Sequence, residues 1–490
     1  MQSSNFFGRL SRRKFMGTIT GAAALALIDR DRQALAGINP SNELITDYVG
    51  RLCYNENPLG PAPSAITAIR NEAEMAHRYP DWYAESLVSR IADLYDVASN
   101  QVICGAGATE ILRLSAMAFA QPGGNIVAPY PSYSQFPSDA QFFGSSVRHV
   151  ALDGNYRIDL QAMFDEVDSN TTCVCITNPN NPTGTLLDFA ELFDFVNSLP
   201  SGVVALIDEA YFKFISLITY PGNYEEEKYL SAVELVRNDK NVVVIRTFSK
   251  VYGLAGARIG FAIGKTSAIN SIKTYRIYAT ISRPSLEAAK AALYDETHIT
   301  NTVIHTRAGM NYCFEELEQM DLEYIPSETN FFMVDVEDGN YVRSQLASRG
   351  IYVRNGWGMP AHIRVSIGTY QEMQDFISAL QEIMSGVRHG KRINRALPTQ
   401  TELYPVYPNP FNSSTSIRIY LPDYRKTSLE IFDIHGRLVK RLADGILLSG
   451  EHSFFWNGAN MSGKAVSSGS YFYRLKAGDD VITKRMILVK

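Results

Sequence analysis

The residues best suited to chemistry surround Lys250. This lysine follows Ser249 at the end of an apolar run, and Arg258 lies eight positions further on, after two glycines. A lysine amine can form a Schiff base with the aldehyde of pyridoxal phosphate. The hydroxyl of Thr247 or Ser249, together with a guanidinium, can bind a phosphate group. Taken alone, however, the segment is also compatible with an ordinary surface lysine after a strand.

Two upstream segments favour the chemical interpretation. The sequence DEAY at 208–211 directly follows a run of apolar residues, which predicts a buried strand that ends in an acid. Side chains at such strand ends form the sites of parallel sheets, and an aspartate there can pair with a protonated pyridine nitrogen. The second segment, NPNNPTG at 178–184, follows another strand-like run. By itself it would indicate only a surface turn.

The order of these segments resembles a known family. NPNNPTG, DEAY and SKVYGLAGARIG follow one another as in the fold-type I aminotransferases, and the histidinol-phosphate aminotransferase branch is the most similar. The resemblance extends from about Asn39 to about Val387. It is also carried by NENPLG at 55–60, RYP at 78–80, GATE at 107–110, PSY at 131–133, PSETNF at 326–331 and IRV at 363–365.

The resemblance implies an α/β fold of the PLP-dependent transferase type and a role for each site residue. Lys250 would bind the cofactor covalently and move a proton, and Asp208 would pair with the pyridine nitrogen. The other cofactor contacts would come from Asn181 and Tyr211 at the ring hydroxyl, Tyr133 stacked on the ring, Ser249, Arg258 and the backbone of Ala108 and Thr109 at the phosphate, and Tyr79 of a neighbouring subunit. This branch often has aspartate at the position of Thr109, a change that backbone contacts would survive.

Two arginines are the candidates for substrate binding. The resemblance implies that Arg364 and Arg354 grip the anionic end of the substrate by bidentate pairing. Arg364 lies between two apolar residues in an alternating strand pattern, where a buried charge needs an anionic partner. Arg354 could equally be structural, and Tyr133 could be an ordinary core residue. The segment 55–60 is expected to close over the substrate.

The implied activity is transfer of an amino group between an amino acid or amino phosphate and a 2-oxo acid, in a homodimer. Two alternatives stay open. Decarboxylases of the threonine-phosphate type share these motifs, because the bond that breaks depends on which substituent stands perpendicular to the ring. A non-catalytic, surface-displayed binding protein is the other alternative, although the intact set of Lys250, Asp208, Tyr211, Asn181 and Arg258 argues against it.

The two ends of the chain indicate export. Residues 1–36 contain Arg12-Arg13, an apolar stretch at 17–28 and the possible cleavage site Ala34-Leu35-Ala36. This pattern resembles a twin-arginine signal peptide. A membrane anchor is the alternative, but the stretch is short for a bilayer, and we expect no transmembrane helix.

The C-terminal residues predict a separate module. Residues 391–403 are polar and are interpreted as a linker, and 404–490 contain alternating strand-like runs separated by turns, typical of a β-sandwich. The module resembles the sorting domain of type IX secretion through YPNPFN at 407–412, FDIHGRLV at 432–439, FFWNG at 454–458, SGSYFYRL at 468–475 and TKRMILVK at 483–490. An immunoglobulin-like adhesion module is the alternative.

Composition limits the remaining possibilities. The 490 residues carry a net charge of −5 and five cysteines. The basic residues from 391 onward are scattered along strands, so we expect a solvated sheet surface and no nucleic-acid binding. We expect no disulfide framework and no metal site. Residues 37–390 would form the catalytic region, with a large domain at about 76–290 and a small domain from the N-terminal segment and about 291–390.

Overall fold

The computed structural model describes residues 48–215, 230–389 and 400–489, the last range without 405, 407–408, 410, 412–414, 424 and 448–449. The predicted signal peptide, with Arg12 and Arg13, and residues 391–399 of the predicted linker lie outside the described residues. The chain forms two compact units, Met1–Ser385 and Gly386–Lys490.

The strands of the first unit form a large sheet, a small sheet and a short pair. In chain order they are β1 (Gly50–Arg51), β2 (Val102–Gly105), β3 (Asn125–Tyr130), β4 (Ser146–Ala151), β5 (Thr171–Thr177), β6 (Val204–Asp208), β7 (Val242–Thr247), β8 (Gly260–Gly264), β9 (Tyr324–Ile325), β10 (Phe331–Asp335), β11 (Ile351–Tyr352), β12 (Arg354–Gly356) and β13 (Met359–Ser366).

Seven strands build the large sheet in the order β2-β8-β7-β6-β5-β3-β4. The pairs from β7 to β4 are parallel, whereas β8 runs antiparallel to both of its neighbours. This arrangement confirms the predicted parallel-rich sheet of a PLP-dependent transferase fold. The carboxyl ends of β5, β6 and β7 lie side by side, so the residues that follow them meet at one edge of the sheet.

Apolar side chains alternate between the two faces of this sheet. Val174 and Ile176 of β5 belong to one core cluster, and Cys173 and Cys175 of the same strand belong to the cluster on the opposite face. Both thiols are buried and free. The strands are apolar on both faces because helices cover the sheet on both sides, as parallel sheets require.

The described helices of the first unit follow the strands in the alternation expected of an α/β fold. They are α1 (Pro63–Ala73), α2 (Glu85–Tyr95), α3 (Ala108–Phe119), α4 (Gln135–Phe142), α5 (Leu160–Asp165), α6 (Phe189–Ser198), α7 (Val233–Arg237), α8 (Thr266–Lys273), α9 (Arg283–Ala292), α10 (Glu296–Gln319), α11 (Gly339–Ala347) and α12 (Tyr370–His389).

The small sheet is antiparallel, in the order β12-β13-β10-β9, and packs in its own apolar cluster with residues of α10 and α12. Strand β1 pairs in parallel with β11. Leu52 and Ile351, next to and within this pair, belong to the same apolar cluster as the small sheet, so the start of the described chain packs with that sheet. Among the described residues, no helix has both the length and the apolarity needed to cross a bilayer.

The second unit is built from two antiparallel sheets, which confirms the predicted all-β tail. Its strands are β14 (Glu402–Leu403), β15 (Thr415–Leu421), β16 (Arg425–Phe432), β17 (Leu438–Leu447), β18 (Gly450–Trp456), β19 (Gly469–Ala477) and β20 (Asp480–Leu488). The sheets have the orders β14-β15-β18 and β17-β16-β19-β20. Their inward-facing residues, Trp456 and Tyr473 among them, form one buried cluster.

Two details of the tail differ from the sequence-based expectation. Strand β17 shows no regular alternation in the sequence, because two register shifts against β16 disrupt it. Leu403 pairs with Ile419, so the sandwich begins at Glu402, inside the segment interpreted as a linker. A two-residue strand is too short to produce a visible sequence pattern.

Candidate active site

Lys250 lies just beyond β7, at the edge where the parallel strands end. Its Nζ donates a hydrogen bond to the backbone oxygen of Tyr54 at 3.0 Å and lies 5.6 Å from the centre of the Tyr211 ring. Burial, and next the positive charge of Arg364, lower the pKa of Lys250 to about 7. A large fraction of this amine is therefore neutral and nucleophilic near neutral pH.

Asp208 is the last residue of β6 and is 3 % exposed. One carboxylate oxygen accepts a hydrogen bond from the backbone N–H of Ala210 at 2.9 Å. Burial raises the pKa of Asp208 to about 6. Among the described residues, no cation forms an ion pair with this carboxylate, so it can serve as the partner of a cationic ligand.

The Tyr211 hydroxyl lies between two amides. Asn55 donates to it through Nδ2 at 2.9 Å, and Asn181 approaches it through Nδ2 at 3.5 Å. All three residues are buried. Burial raises the pKa of Tyr211 to about 12, so the phenol keeps its proton and can donate a hydrogen bond near neutral pH.

The predicted phosphate-binding residues surround the start of α3. Gly107 precedes Ala108 with a φ of 82°, and a Cβ on Gly107 would collide with the guanidinium of Arg258. Arg258 Nη1 donates to the Ser249 hydroxyl at 3.3 Å, and Thr247 donates to the same hydroxyl at 2.9 Å. The free backbone N–H groups of a helix start, hydroxyls and a guanidinium together suit an anion.

Arg364 is 2 % exposed and faces the same cleft from the small sheet. Its Nη1 donates to Asn181 Oδ1 at 2.6 Å and its Nη2 to the backbone oxygen of Cys53 at 2.9 Å, whereas its buried Nε has no partner in the described structure. Burial lowers the pKa of Arg364 to about 10. Arg354 lies directly opposite it on β12.

The structure thus brings together Lys250, Asp208, Tyr211, Asn181 and Arg364, and it gathers Ala108, Thr109, Ser249 and Arg258 at the helix start. Tyr133 is 37 % exposed and lies within range of the charges of Asp208 and Arg354. Tyr79 is 82 % exposed.

Sequence reasoning assigned no role to several side chains that the structure places in the cleft. Asn55 has a φ of 55° and exchanges hydrogen bonds with Ser366, and Asn330 donates to the backbone oxygen of Asn55 at 3.0 Å. Asn55 belongs to the motif NENPLG and Asn330 to the motif PSETNF, so the motifs are the sequence signal for these two residues. Ser366 and Trp357 had no such signal.

The segment 55–60, which is expected to close over the substrate, contacts two distant parts of the chain. Asn57 donates to the backbone oxygen of Val251 at 2.9 Å and to the Thr302 hydroxyl at 3.1 Å. A Cβ on Gly253 would collide with the backbone of Gly60, so the two segments touch. These contacts place the segment against the residues that follow Lys250.

A phosphorylated pyridine aldehyde fits these residues. The cradle at Gly107 and Arg258 can hold the phosphate, the buried carboxylate of Asp208 can hold a protonated ring nitrogen, and Lys250, partly neutral because of its lowered pKa, can bind the aldehyde. No group of His, Cys, Asp and Glu side chains among the described residues has the arrangement of a metal site.

Comparison with known proteins agrees with this geometry. Residues 49–380 match the family model of aminotransferase class I and II, and residues 405–490 match the secretion system C-terminal sorting domain. The histidinol-phosphate aminotransferase of Akkermansia muciniphila is 35 % identical over 350 residues, which cover 71 % of this chain and 92 % of the relative. That of Moorella thermoacetica is 34 % identical over 374 residues, 74 % of this chain and 95 % of the relative.

Among solved structures, histidinol-phosphate aminotransferase from Sinorhizobium meliloti in complex with pyridoxal-5'-phosphate superposes with a TM-score of 0.64. It is 24 % identical, and the match covers 78 % of this chain and 99 % of that one, so it shows the shared fold. Fold and cleft together define an enzyme that uses pyridoxal 5'-phosphate. Within that class, the chain belongs to the class I and II aminotransferases, and its C-terminal unit is a secretion sorting domain.

Proposed function

We propose that this aminotransferase moves an amino group between an amino acid or amino phosphate, similar to histidinol phosphate, and a 2-oxo acid. The observation that carries the proposal is the pair Arg364 and Arg354, which face the cleft without a carboxylate partner among the described residues. Arg364 is buried and Arg354 is partly buried, and cations withdrawn from water in this way favour an anionic ligand. The named relatives are histidinol-phosphate aminotransferases, which supports an amino phosphate as donor.

The reaction depends on the bound cofactor, which supplies an electron sink for the electrons released when the substrate loses a proton. Lys250 is the residue that holds this cofactor and then moves the substrate proton, because the lowered pKa leaves a substantial fraction of its amine neutral near neutral pH. Asp208 keeps the ring nitrogen protonated through its buried carboxylate. Tyr211 and Asn181 bind the ring hydroxyl.

The remaining residues hold the two ends of the bound molecules. Ser249, Arg258 and the backbone N–H groups of Ala108 and Thr109 bind the cofactor phosphate at the start of α3. Tyr133 would stack on the cofactor ring, as its position near Asp208 allows. Arg364 binds the anionic end of the substrate, a phosphate or a carboxylate, with Asn181 fixing the guanidinium, and Arg354 extends the anion-binding surface.

The enzyme acts as a homodimer in which Tyr79 reaches the cofactor phosphate of the other subunit. Tyr79 is 82 % exposed, and its neighbours Trp82, Ile277 and Tyr278 are each more than half exposed. Such a patch of large apolar side chains is typical of a protein–protein interface.

A complementation assay tests the shared site. Tyr79→Ala and Lys250→Ala proteins are each expected to be almost inactive alone. After subunit exchange, half of the sites in a mixed dimer contain neither substitution, so mixing should restore activity. If mixing restores nothing although subunits exchange, Tyr79 acts within its own chain or not at all.

Export proceeds in two steps. A twin-arginine signal at 1–36 directs the folded, cofactor-loaded enzyme across the inner membrane, and the tail then directs it through type IX secretion to the cell surface or the medium. The sorting-domain match at 405–490 supports the second step. Residues 37–390 form the catalytic region, 391–403 the connection and 404–490 the sorting module, apart from the first strand at Glu402.

The activity itself is tested with purified, PLP-loaded protein, a panel of amino donors and 2-oxoglutarate. We expect glutamate and the keto product of the donor to form in equal amounts, with histidinol phosphate among the accepted donors. Release of carbon dioxide without glutamate would show a decarboxylase instead. An absorption band that does not shift with any amine would contradict both activities.

A further inference from the structure

The turn between β12 and β13 has an unusual residue at its tip. Gly356 pairs with Met359, which leaves Trp357 and Gly358 as the two central residues, with φ values of 57° and 70°. Positive φ at both central positions is the requirement of a type I′ turn, which is normally met by asparagine, aspartate or glycine. A tryptophan in this conformation is sterically unfavourable and persists only where its surroundings hold it.

The surroundings of Trp357 are the two arginines of the proposed anion site. Its ring centre lies 4.9 Å from the guanidinium carbon of Arg364 and 5.3 Å from that of Arg354. In addition to these two contacts, the indole packs on an apolar cluster of Ile325, Met333 and Met359. The turn therefore folds back over the face of the small sheet that carries both cations.

Contact with an aromatic ring stabilises both arginine side chains. They are direct cross-strand partners, so their like charges repel each other on one face of the sheet. Among the described residues neither forms an ion pair. An aromatic face attracts a guanidinium without neutralising its charge, in contrast to a carboxylate. Arg364 also lies 5.1 Å from the centre of the Phe331 ring, so aromatic rings contact it from two residues.

We propose that Trp357 is a positioning residue that holds the guanidiniums of Arg354 and Arg364 side by side for a dicarboxylate 2-oxo acid. This proposal rests on the anion-binding role given above to the two arginines. The indole keeps their charges free and their side chains ordered, so a dianion finds both donors already in place. The strained turn places the Trp357 ring against both guanidiniums.

The test compares binding of maleate, a non-reacting dicarboxylate, to PLP-loaded wild-type and variant proteins by titration calorimetry. Trp357→Ala removes the ring, and Trp357→Phe keeps an aromatic face. Trp357→Asn removes the ring but suits the left-handed turn, so it separates loss of the ring from loss of the turn. Arg364→Ala reports on the anion site itself.

We expect Trp357→Ala and Trp357→Asn to weaken maleate binding about tenfold and Trp357→Phe to stay within about threefold, as two lost cation–π contacts imply. The KM for 2-oxoglutarate should rise in parallel, with the loss in KM rather than in kcat. Acetate, with one charge, should be affected less.

Other outcomes would overturn the proposal, each at a distinct step. If Trp357→Asn binds maleate like wild type while Trp357→Ala does not, the turn matters and the ring does not. If every Trp357 variant binds like wild type but Arg364→Ala does not, the anion site stands and Trp357 plays no part in it. If Arg364→Ala also binds like wild type, the proposed anion site itself is wrong.

Discussion

At the scale of single residues, the two ionisable groups at the centre of the cleft have pKa values displaced toward neutrality. Burial lowers the pKa of Lys250 to about 7 and raises that of Asp208 to about 6. Each shift favours the uncharged form, because a charge loses its hydration in the protein interior. Displaced pKa values of this kind concentrate at functional sites.

The lowered pKa of Lys250 predicts how cofactor uptake depends on pH. Only the neutral amine attacks an aldehyde, so the rate should rise as pH increases through about 7 and level off above about 8. Stopped-flow absorbance of cofactor-free protein mixed with PLP measures this rate. A rate that still increased tenfold per pH unit between about 8 and 9 would show an ordinary lysine, whose pKa is near 10.4.

Replacement of Asp208 by asparagine tests the electrostatic role of its carboxylate. The side chain is buried and fills the same space after the change, so the fold should persist and PLP should still bind through its phosphate and Lys250. We expect kcat to fall by about 10²–10³-fold, the usual loss when one preorganised charge partner is removed. Single-turnover kinetics give the value, and near wild-type turnover would count against the role.

The positions of Asp208 and Lys250 could be predicted from sequence, because each lies at or just beyond the end of a recognisable strand. Asp208 ends β6 and Lys250 follows β7 closely. Asn57 could not be predicted, since its hydrogen-bond partners lie 194 and 245 residues away along the chain. The role of Trp357 could not be predicted for a related reason, because only the folded hairpin brings its ring to Arg354 and Arg364.

At the scale of elements, the start of α3 forms the phosphate cradle, and Gly107 is its narrowest point. Gly107→Ala should weaken PLP binding at least about tenfold, because the new Cβ pushes Arg258 away, in addition to about 1–2 kcal/mol of backbone strain. Gly123→Ala is the matched control. Gly123 also has a φ of 82°, but no atom lies near its would-be Cβ.

Fluorescence titration of the cofactor-free proteins with PLP gives both affinities, and thermal unfolding gives both stabilities. The two variants should lose similar stability, whereas only Gly107→Ala should lose affinity. If the two variants bound PLP with equal affinity, Arg258 would not contribute to binding of the phosphate.

The elements themselves were predictable where the pattern was strong. The buried strands β5, β6 and β7 and the helix α3 follow from apolar runs and from the glycines before the helix. Strand β4 could not be recognised in the sequence, because most of its residues are exposed or only partly buried and show no apolar alternation. Strand β17 escaped because bulges interrupt its period.

At the scale of the whole molecule, catalytic region and sorting tail are separate units, and every residue proposed for the active site lies before the tail. Removal of 400–490 should therefore leave transamination intact and leave the enzyme in the periplasm. Arg12→Lys with Arg13→Lys should instead keep it in the cytoplasm. Cell fractionation with activity assays distinguishes these cases.

Two results would contradict this division. A tail-less protein that still reaches the surface or the medium would exclude the sorting role of the tail in this chain. A tail-less protein that reaches the periplasm but has lost its activity would show that the tail belongs to the enzyme. The full-length protein, fractionated in parallel, is the control for both.

The central claim is that Lys250 carries the cofactor of an exported aminotransferase, and one measurement tests it directly. Borohydride reduction of the PLP-loaded protein fixes the cofactor to its lysine, and peptide mapping by mass spectrometry identifies that lysine. We expect a single modified peptide that contains Thr247-Phe248-Ser249-Lys250, and none from Lys250→Ala. Modification of any other lysine, or of none, would contradict it.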